Sequence, residues 1–235
     1  MPIISAQDRT TITKIFDENL VNPVRLKLFT TPKSLLYVPG RASCETCDDV
    51  QELLQDVVEI SDKLTLEVHN VGTDREIARQ FAVERVPTLV IMGPDDGRVR
   101  YVGAPTGYEF ATLLGDIQSA SRGGAELAAE TREALEAIDE PIHIQVFVTP
   151  TCPWCPTLAG LAHRMAMEFD NVRADIVEAN EFPDLSGRYA VSGVPKTIIN
   201  DKVEFVGAMP EAQFVAAIQQ AVGIVPASQE TSPTA

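Results

Sequence analysis

Two pairs of cysteines, each with two residues between its members, are the part of this chain best suited to chemistry. The pairs are Cys44–Cys47 and Cys152–Cys155, and they account for all four cysteines of the 235 residues. In a reducing compartment such pairs are usually catalytic or metal-binding, because structural disulfides do not persist there. The spacing therefore indicates either thiol–disulfide exchange or the binding of a metal by thiolates.

The composition limits the class of protein and its partners. Hydrophobic residues make up 45% of the chain, enough for a packed core, and no apolar run reaches the roughly 18 residues that span a membrane. The start lacks a basic segment followed by an apolar one, so we expect no signal peptide and a cytoplasmic location. The net charge of −15 argues against nucleic acid as a partner, because phosphate backbones need basic surfaces.

The second cysteine pair falls between a predicted strand and a predicted helix. Residues 142–148 are apolar and largely alternating, which is typical of a strand, and the apolar residues of 158–169 recur at helical spacing. Pro153 suits the first helical position, where its missing N–H is not needed. The Cys152 sulfur would then lie near free N–H groups at the positive helix end, which favours the reactive thiolate. Cys155 could reach back to close a disulfide.

The order of predicted elements occurs twice along the chain. Pro87 follows Cys44 by 43 positions, and Pro195 follows Cys152 by the same interval. Around both prolines an aromatic residue, Ala-Val, Val-Pro and Ile recur in register. Predicted strands cover 24–29, 63–71, 88–92 and 98–102 in the first half and 142–148, 172–178, 196–199 and 203–206 in the second. A repeat of this length indicates two duplicated α/β domains.

We place the two domains at residues 1–121 and 122–225, on either side of a glycine-bearing junction. Residues 226–235 are rich in Ser, Thr and Pro, so we expect a disordered tail there. The segment 31–43, before the first cysteine pair, reads as a long loop that could cover that pair or form part of a binding surface.

Each half resembles the thioredoxin fold, in which a Cys-x-x-Cys helix is followed by a strand that opens with a cis proline beside the sulfurs. The full arrangement looks like the protein disulfide oxidoreductases of thermophilic archaea and bacteria, also called glutaredoxin-like proteins. The phrases that carry the match are Val21-Asn22-Pro23-Val24, Gly107-Tyr108-Glu109-Phe110 and the segment from Val146 to Pro156. The resemblance covers about residues 1–222 and implies two tandem thioredoxin-like units, each a central mixed β-sheet flanked by helices.

The same resemblance implies an activity, namely thiol–disulfide exchange on protein disulfides and dithiols. Cys152 would attack the substrate and Cys155 would resolve the mixed disulfide, with Cys44 and Cys47 acting likewise. The residues expected to shape the substrate grooves are Val86, Pro87, Pro153, Trp154, Val194 and Pro195. No bound cofactor or metal is expected, and electrons would come from a thioredoxin-reductase-like flavoprotein that uses NADPH.

Three alternatives stay open. The four cysteines could form one zinc site, although each pair opens its own helix in its own repeat. Glutathione could be the reductant, as in glutaredoxins, although Thr151 and Gly207-Ala208 depart from the usual glutaredoxin residues. The cysteines could instead serve as a redox sensor on a non-catalytic binding module. The three histidines are scattered, and we expect ordinary packing or solvation for them, with His163 on the polar side of its helix.

The surroundings of the two pairs predict different thiol reactivities. Acidic residues flank the first pair, whereas none follows Cys152 before Glu168; the acidic residues are Glu45, Asp48 and Asp49. Because a nearby carboxylate disfavours a thiolate, we expect Cys152 to have a lower pKa than Cys44. The rate of iodoacetamide labelling against pH, in reduced variants that keep one pair each, measures both values. A lower pKa at Cys44 would contradict this expectation.

Overall fold

The fold is taken from a computed structural model, which describes residues 3–32, 44–93 and 98–224. Most of the predicted 31–43 loop, the hairpin turn at 94–97 and the predicted tail at 226–235 lie outside the described residues.

The first half contains helices and strands in the order that the sequence predicts. They are α1 (Ala6–Asn19), β1 (Val24–Thr30), α2 (Cys47–Val58), β2 (Leu64–Asn70), α3 (Arg75–Gln80), β3 (Thr88–Met92), β4 (Val99–Val102) and α4 (Tyr108–Arg122). Helix α2 forms an apolar stripe, since Val50, Leu53, Leu54 and Val57 recur at helical spacing and are all buried. Burying one such side chain contributes about 1.5–3 kcal/mol, which holds α2 against the sheet.

The second half repeats this order after a left-handed turn at Gly123, which ends α4 with a φ of 79°. Its elements are α5 (Ala129–Glu136), β5 (Ile142–Val148), α6 (Cys155–Glu168), β6 (Val172–Glu178), α7 (Pro183–Arg188), β7 (Lys196–Ile199), β8 (Val203–Val206) and α8 (Glu211–Ala221). The predicted two tandem units are therefore confirmed. The exact division at residues 121 and 122 stays a prediction.

The eight strands of the described residues form one mixed sheet in the order β2-β1-β3-β4-β6-β5-β7-β8. In each half a parallel pair is followed by two antiparallel pairings, which is the mixed pattern expected. The halves are joined by parallel pairing of β4 with β6, in which Val99 to Val102 lie opposite Ala174 to Val177. The sequence did not indicate this junction, because the residue pattern of a strand does not specify which strand of another domain will pair with it.

Helices α4 and α6 pack against each other across the junction. Helix α4 contacts β1 and β3 while α6 contacts β4, β5 and β6, so the two helices lie side by side on the joined sheet. The buried residues of α6 include Leu158, Leu161, Ala162 and Met165. No helix in the described part of the chain is long and apolar enough to cross a bilayer.

A buried polar cluster lies between these two helices, and the expectation of a polar, outward-facing His163 is wrong. His163 is fully buried because α4 of the first unit covers it. Its Nδ1 lies 2.6 Å from Asp116 Oδ2, and the Tyr101 hydroxyl donates to the same oxygen at 2.5 Å. Nε2 lies 3.2 Å from the carbonyl oxygen of Arg100. The cluster therefore ties the two units by hydrogen bonds inside their shared core.

The protonation of His163 links this cluster to stability. Burial by itself lowers the pKa of His163, but the Asp116 carboxylate reverses this effect and the pKa is raised above its usual 6.5. Because the folded state holds the proton more tightly, the stabilisation is complete below pH 6.5. It is lost as the pH rises through the folded-state pKa.

We expect His163→Asn to lower the free energy of unfolding by about 3 kcal/mol at pH 6, because it leaves a buried carboxylate without its cation. The difference from the unsubstituted protein should shrink as the pH is raised to 9. Urea unfolding at several pH values measures it. A difference that is no larger at pH 6 than at pH 9 would contradict a stabilising proton on His163.

Candidate active site

Both cysteine pairs are disulfide-bonded within themselves, with 5.5 Å between the Cα atoms of each pair. In each pair the second cysteine is the more buried, since Cys47 and Cys155 are almost inaccessible while Cys44 is half-buried and Cys152 retains 7% exposure. The more accessible sulfur of each pair is therefore the one suited to meet a substrate. Among the described residues, no cluster of three or more His, Cys, Asp or Glu side chains could hold a metal ion.

Helix α6 begins at Cys155, so the predicted place of Pro153 at the first helical position is wrong. Residues 152–154 form a turn in front of the helix, and Pro156 takes a first-turn position in place of Pro153. The turn still brings the expected donor to the sulfur, since the Cys155 N–H donates to Cys152 Sγ at 3.1 Å. An N–H at the start of a helix stabilises a thiolate at this position when the disulfide is open.

The first pair has the same local form with different charges. Helix α2 also begins at the second cysteine, Cys47, and its first turn carries the exposed Asp48 and Asp49. The first turn of α6 has no acidic residue. The two sites therefore share a geometry and differ in electrostatics.

The two predicted cis prolines are confirmed, at the bonds Val86–Pro87 and Val194–Pro195. In both units the proline is buried, the valine before it is half-buried, and the proline carbonyl accepts an N–H from a glycine. The glycine donors are Gly103 at 2.9 Å and Gly207 at 2.8 Å. The two halves thus repeat this feature down to single hydrogen bonds.

A surface depression lies beside each of these valines. The one next to Val194 has a volume of about 750 Å³ and reaches Thr149, the residue after β5. The one next to Val86 has a volume of about 560 Å³ and reaches Thr31, the residue after β1. Each depression therefore extends from the residue before a cis proline to the end of the strand that precedes a cysteine pair.

The residues between Cys152 and Cys155 are exposed. Trp154 keeps 69% of its surface accessible, and Pro153 is also on the surface. A large apolar side chain in this position beside a reactive sulfur is suited to contact another protein, because aromatic residues are enriched where proteins bind each other.

The first unit contacts the segment that leads into the second cysteine pair. The Tyr108 N–H donates to the Pro150 carbonyl oxygen at 3.0 Å. Gly107, with a φ of 63°, comes so close that a Cβ there would lie 2.1 Å from the same oxygen. Only glycine is compatible with this approach, so the position of Pro150 depends on the first unit.

Glu109 is a candidate functional residue to which the sequence analysis gave no role. It is 2% exposed, in the first turn of α4, and its burial raises the pKa to about 7; Thr112 and His163 only partly offset this effect. Asp116, two turns later on α4, contacts His163 on α6, and the helices run in the same direction. Because Thr112 on α4 likewise faces Gly160 on α6, the register puts the backbone of Glu109 level with the first turn of α6. The only signal in the sequence was its place in the phrase Gly-Tyr-Glu-Phe.

Comparisons with known proteins agree with this geometry. The thioredoxin domain family matches residues 37–115 and 142–220, once in each half. The crystal structure of a protein disulfide oxidoreductase from Aeropyrum pernix is 31% identical, with a TM-score of 0.83 over 94% of this chain and 95% of that one.

The alkyl hydroperoxide reductase protein AhpF is similar over most of this chain as well. The AhpF of Pseudomonas aeruginosa is 25% identical over 206 residues, which are 87% of this chain but only 37% of that protein. The AhpF structure from Enterococcus faecalis has a TM-score of 0.80 and 23% identity, over 92% of this chain. The chain belongs to the thioredoxin superfamily, as a two-unit thiol–disulfide oxidoreductase of the protein disulfide oxidoreductase family.

Proposed function

We propose that this protein exchanges disulfides with other proteins, chiefly as a reductase. The observation that carries the proposal is the Cys155 N–H held at 3.1 Å from Cys152 Sγ, with the partner sulfur buried behind it. That arrangement stabilises a thiolate at the surface and keeps the resolving sulfur away from competing reactions.

The reaction would proceed in two exchange steps. The Cys152 thiolate attacks one sulfur of a substrate disulfide, the substrate S–S bond breaks, and one substrate thiolate leaves. Cys155 then loses its proton and attacks Cys152 Sγ, so the mixed disulfide breaks and the second substrate thiolate leaves. Two electrons pass to the substrate, and the Cys152–Cys155 disulfide remains. Cys44 and Cys47 would perform the same steps at the first site.

Glu109 would accept the proton of Cys155 in the second step. The register of α4 against α6 puts its backbone level with the first turn of α6, and a pKa of about 7 would make it an effective base near neutral pH. Because burial keeps water away, a side chain is needed to carry this proton. The proposal gives the first unit a part in the chemistry of the second.

The depressions beside Val86 and Val194 would bind an extended segment of the substrate. The backbone of a half-buried valine next to a groove can pair with such a segment, as an edge strand does. The buried Pro87 and Pro195 would fix that backbone, while Pro153 and Trp154 would contact the substrate from the other side of the sulfur.

The electron donor would be a thioredoxin-reductase-like flavoprotein using NADPH, with the flavin in that partner and no cofactor in this chain. The likeness to an alkyl hydroperoxide reductase protein favours a second substrate class, a disulfide formed in a protein that reduces hydroperoxides. A cytoplasmic location suits both roles, because a reducing compartment keeps the cysteines available.

Turnover of insulin disulfides tests the function. We expect the protein to reduce insulin in the presence of dithiothreitol, and Cys152→Ser to lower the rate at least tenfold in a variant whose first pair is already replaced by serine. The matched control keeps the second pair and replaces only Cys44 and Cys47. If the unsubstituted protein gave no turnover, the redox-sensor alternative would be favoured. Turnover that required glutathione would favour the glutaredoxin alternative.

Replacing Glu109 tests the proton transfer. We expect Glu109→Gln to slow insulin reduction about tenfold at pH 7.5 and to abolish an inflection of the rate near pH 7, because the amide cannot accept a proton. The exposed Glu130 offers a matched control, Glu130→Gln, which should change neither.

The raised pKa of Glu109 also predicts the sign of a stability change. The folded state holds the proton up to about pH 7 while the unfolded state loses it near pH 4.5, so the unsubstituted protein loses stability between these values. Glu109→Gln should therefore gain stability relative to it as the pH rises from 5 to 8. An unchanged difference would mean that Glu109 is not protonated in the folded state.

A further inference from the structure

The first cysteine pair is contacted by a side chain of the second unit. Thr46, between Cys44 and Cys47, donates its hydroxyl to Glu181 Oε2 at 2.5 Å. The two residues are 135 positions apart in the chain. Glu181 therefore contacts the turn that carries the first cysteine pair, and the loss of this contact would affect the conformation of the turn.

Glu181 is held in this place by contacts on its other side. Its Oε1 accepts the N–H of Ala104, which follows β4, at 2.6 Å. Its own N–H donates to Oε2 of Glu178, the last residue of β6, at 2.6 Å. Since β4 and β6 are hydrogen-bonded neighbours in the sheet, the carboxylate is fixed by the pairing that joins the units.

The backbone after β4 also packs closely against the side chains at the end of β6. A Cβ on Gly103, whose φ is 99°, would lie 2.7 Å from Glu178 Cβ and 3.1 Å from Glu181 Oε1. Thr46 and Glu181 both line a largely apolar cleft of about 960 Å³ between the units. The hydrogen bond between Thr46 and Glu181 therefore lies in an open cleft between the two units.

We propose that Glu181 is a positioning residue for the first site, and that it sets the reduction potential of Cys44–Cys47 from the second unit. The inference rests on the proposed function, because it concerns the redox equilibrium of one of the two sites. The hydrogen bond from Thr46 holds the turn in its oxidised form. The negative charge disfavours the thiolate form of the reduced pair, so ionisation stabilises the reduced state less than it otherwise would. Both effects favour the disulfide, so losing Glu181 makes the first site easier to reduce.

The equilibrium with dithiothreitol tests this inference in the full-length protein. One dithiothreitol supplies two electrons and two protons, the Cys44–Cys47 bond breaks to give two thiols, and dithiothreitol closes to its cyclic disulfide. Trapping the thiols with an alkylating reagent, followed by peptide mass spectrometry, reads each cysteine pair separately in one sample.

We expect Glu181→Gln to raise the equilibrium constant for reduction of the first pair about fivefold, which corresponds to about 20 mV. Thr46→Val removes the hydrogen bond but keeps the charge, and should shift the constant in the same direction by a smaller factor. The double variant should shift it by less than the product of the two factors, because both side chains act through one contact. The second pair, and both pairs in Glu130→Gln, should keep their constants.

A change below twofold at the first pair in both single variants would overturn the inference. Equal shifts at both pairs would overturn it too, because they would reflect a general loosening of the fold. If Glu181→Gln failed to fold, the equilibrium constant of the first pair in Thr46→Val would test the same inference. If the unsubstituted protein did not equilibrate with dithiothreitol at either pair, the proposed function itself would fail instead.

Discussion

The parallel pairing of β4 with β6 is the interaction on which the rest of the structure depends. It turns two four-stranded sheets into one sheet of eight strands and brings α4 of the first unit onto α6 of the second. Each contact between the units described above follows from it. They are the buried cluster at His163, the bond from Tyr108 to Pro150, and the bond from Thr46 to Glu181.

This junction brings residues of each unit close to the cysteine pair of the other. The first unit supplies Gly107 and Tyr108, which contact Pro150 just before the second cysteine pair. The second unit supplies Glu181 to the turn of the first pair. A single thioredoxin-like unit has no such neighbour, so these contacts exist only because the unit is duplicated.

The charges differ across an otherwise repeated geometry. The first pair has exposed carboxylates in the first turn of its helix and contacts a carboxylate of the other unit through Thr46. The second pair has no acidic residue in the first turn of its helix and no charged residue between its cysteines. Because charge acts on the thiolate and hardly on the disulfide, two sites with the same fold can differ in acidity and in potential.

Local pattern was enough to predict much of this protein. The alternating and helical apolar spacings indicated the order of the elements, and the matched intervals from Cys44 to Pro87 and from Cys152 to Pro195 indicated the duplication. The resemblance to the thioredoxin fold then implied that both prolines are cis. These features depend on residues close together in the chain, or on a repeat that can be compared with itself. The start of α6 was predicted two residues early, since the turn at 152–154 is fixed by the sulfur contact rather than by propensity.

What the sequence left open was decided by packing between distant segments. His163 appeared polar and outward-facing because its own helix gives no sign that α4 covers it. Nothing in the sequence assigned a role to Glu109 or Glu181, whereas the fold buries the first and brings the second to Thr46. Burial and neighbouring charge set the chemistry of an ionisable group, and both are properties of the assembled fold.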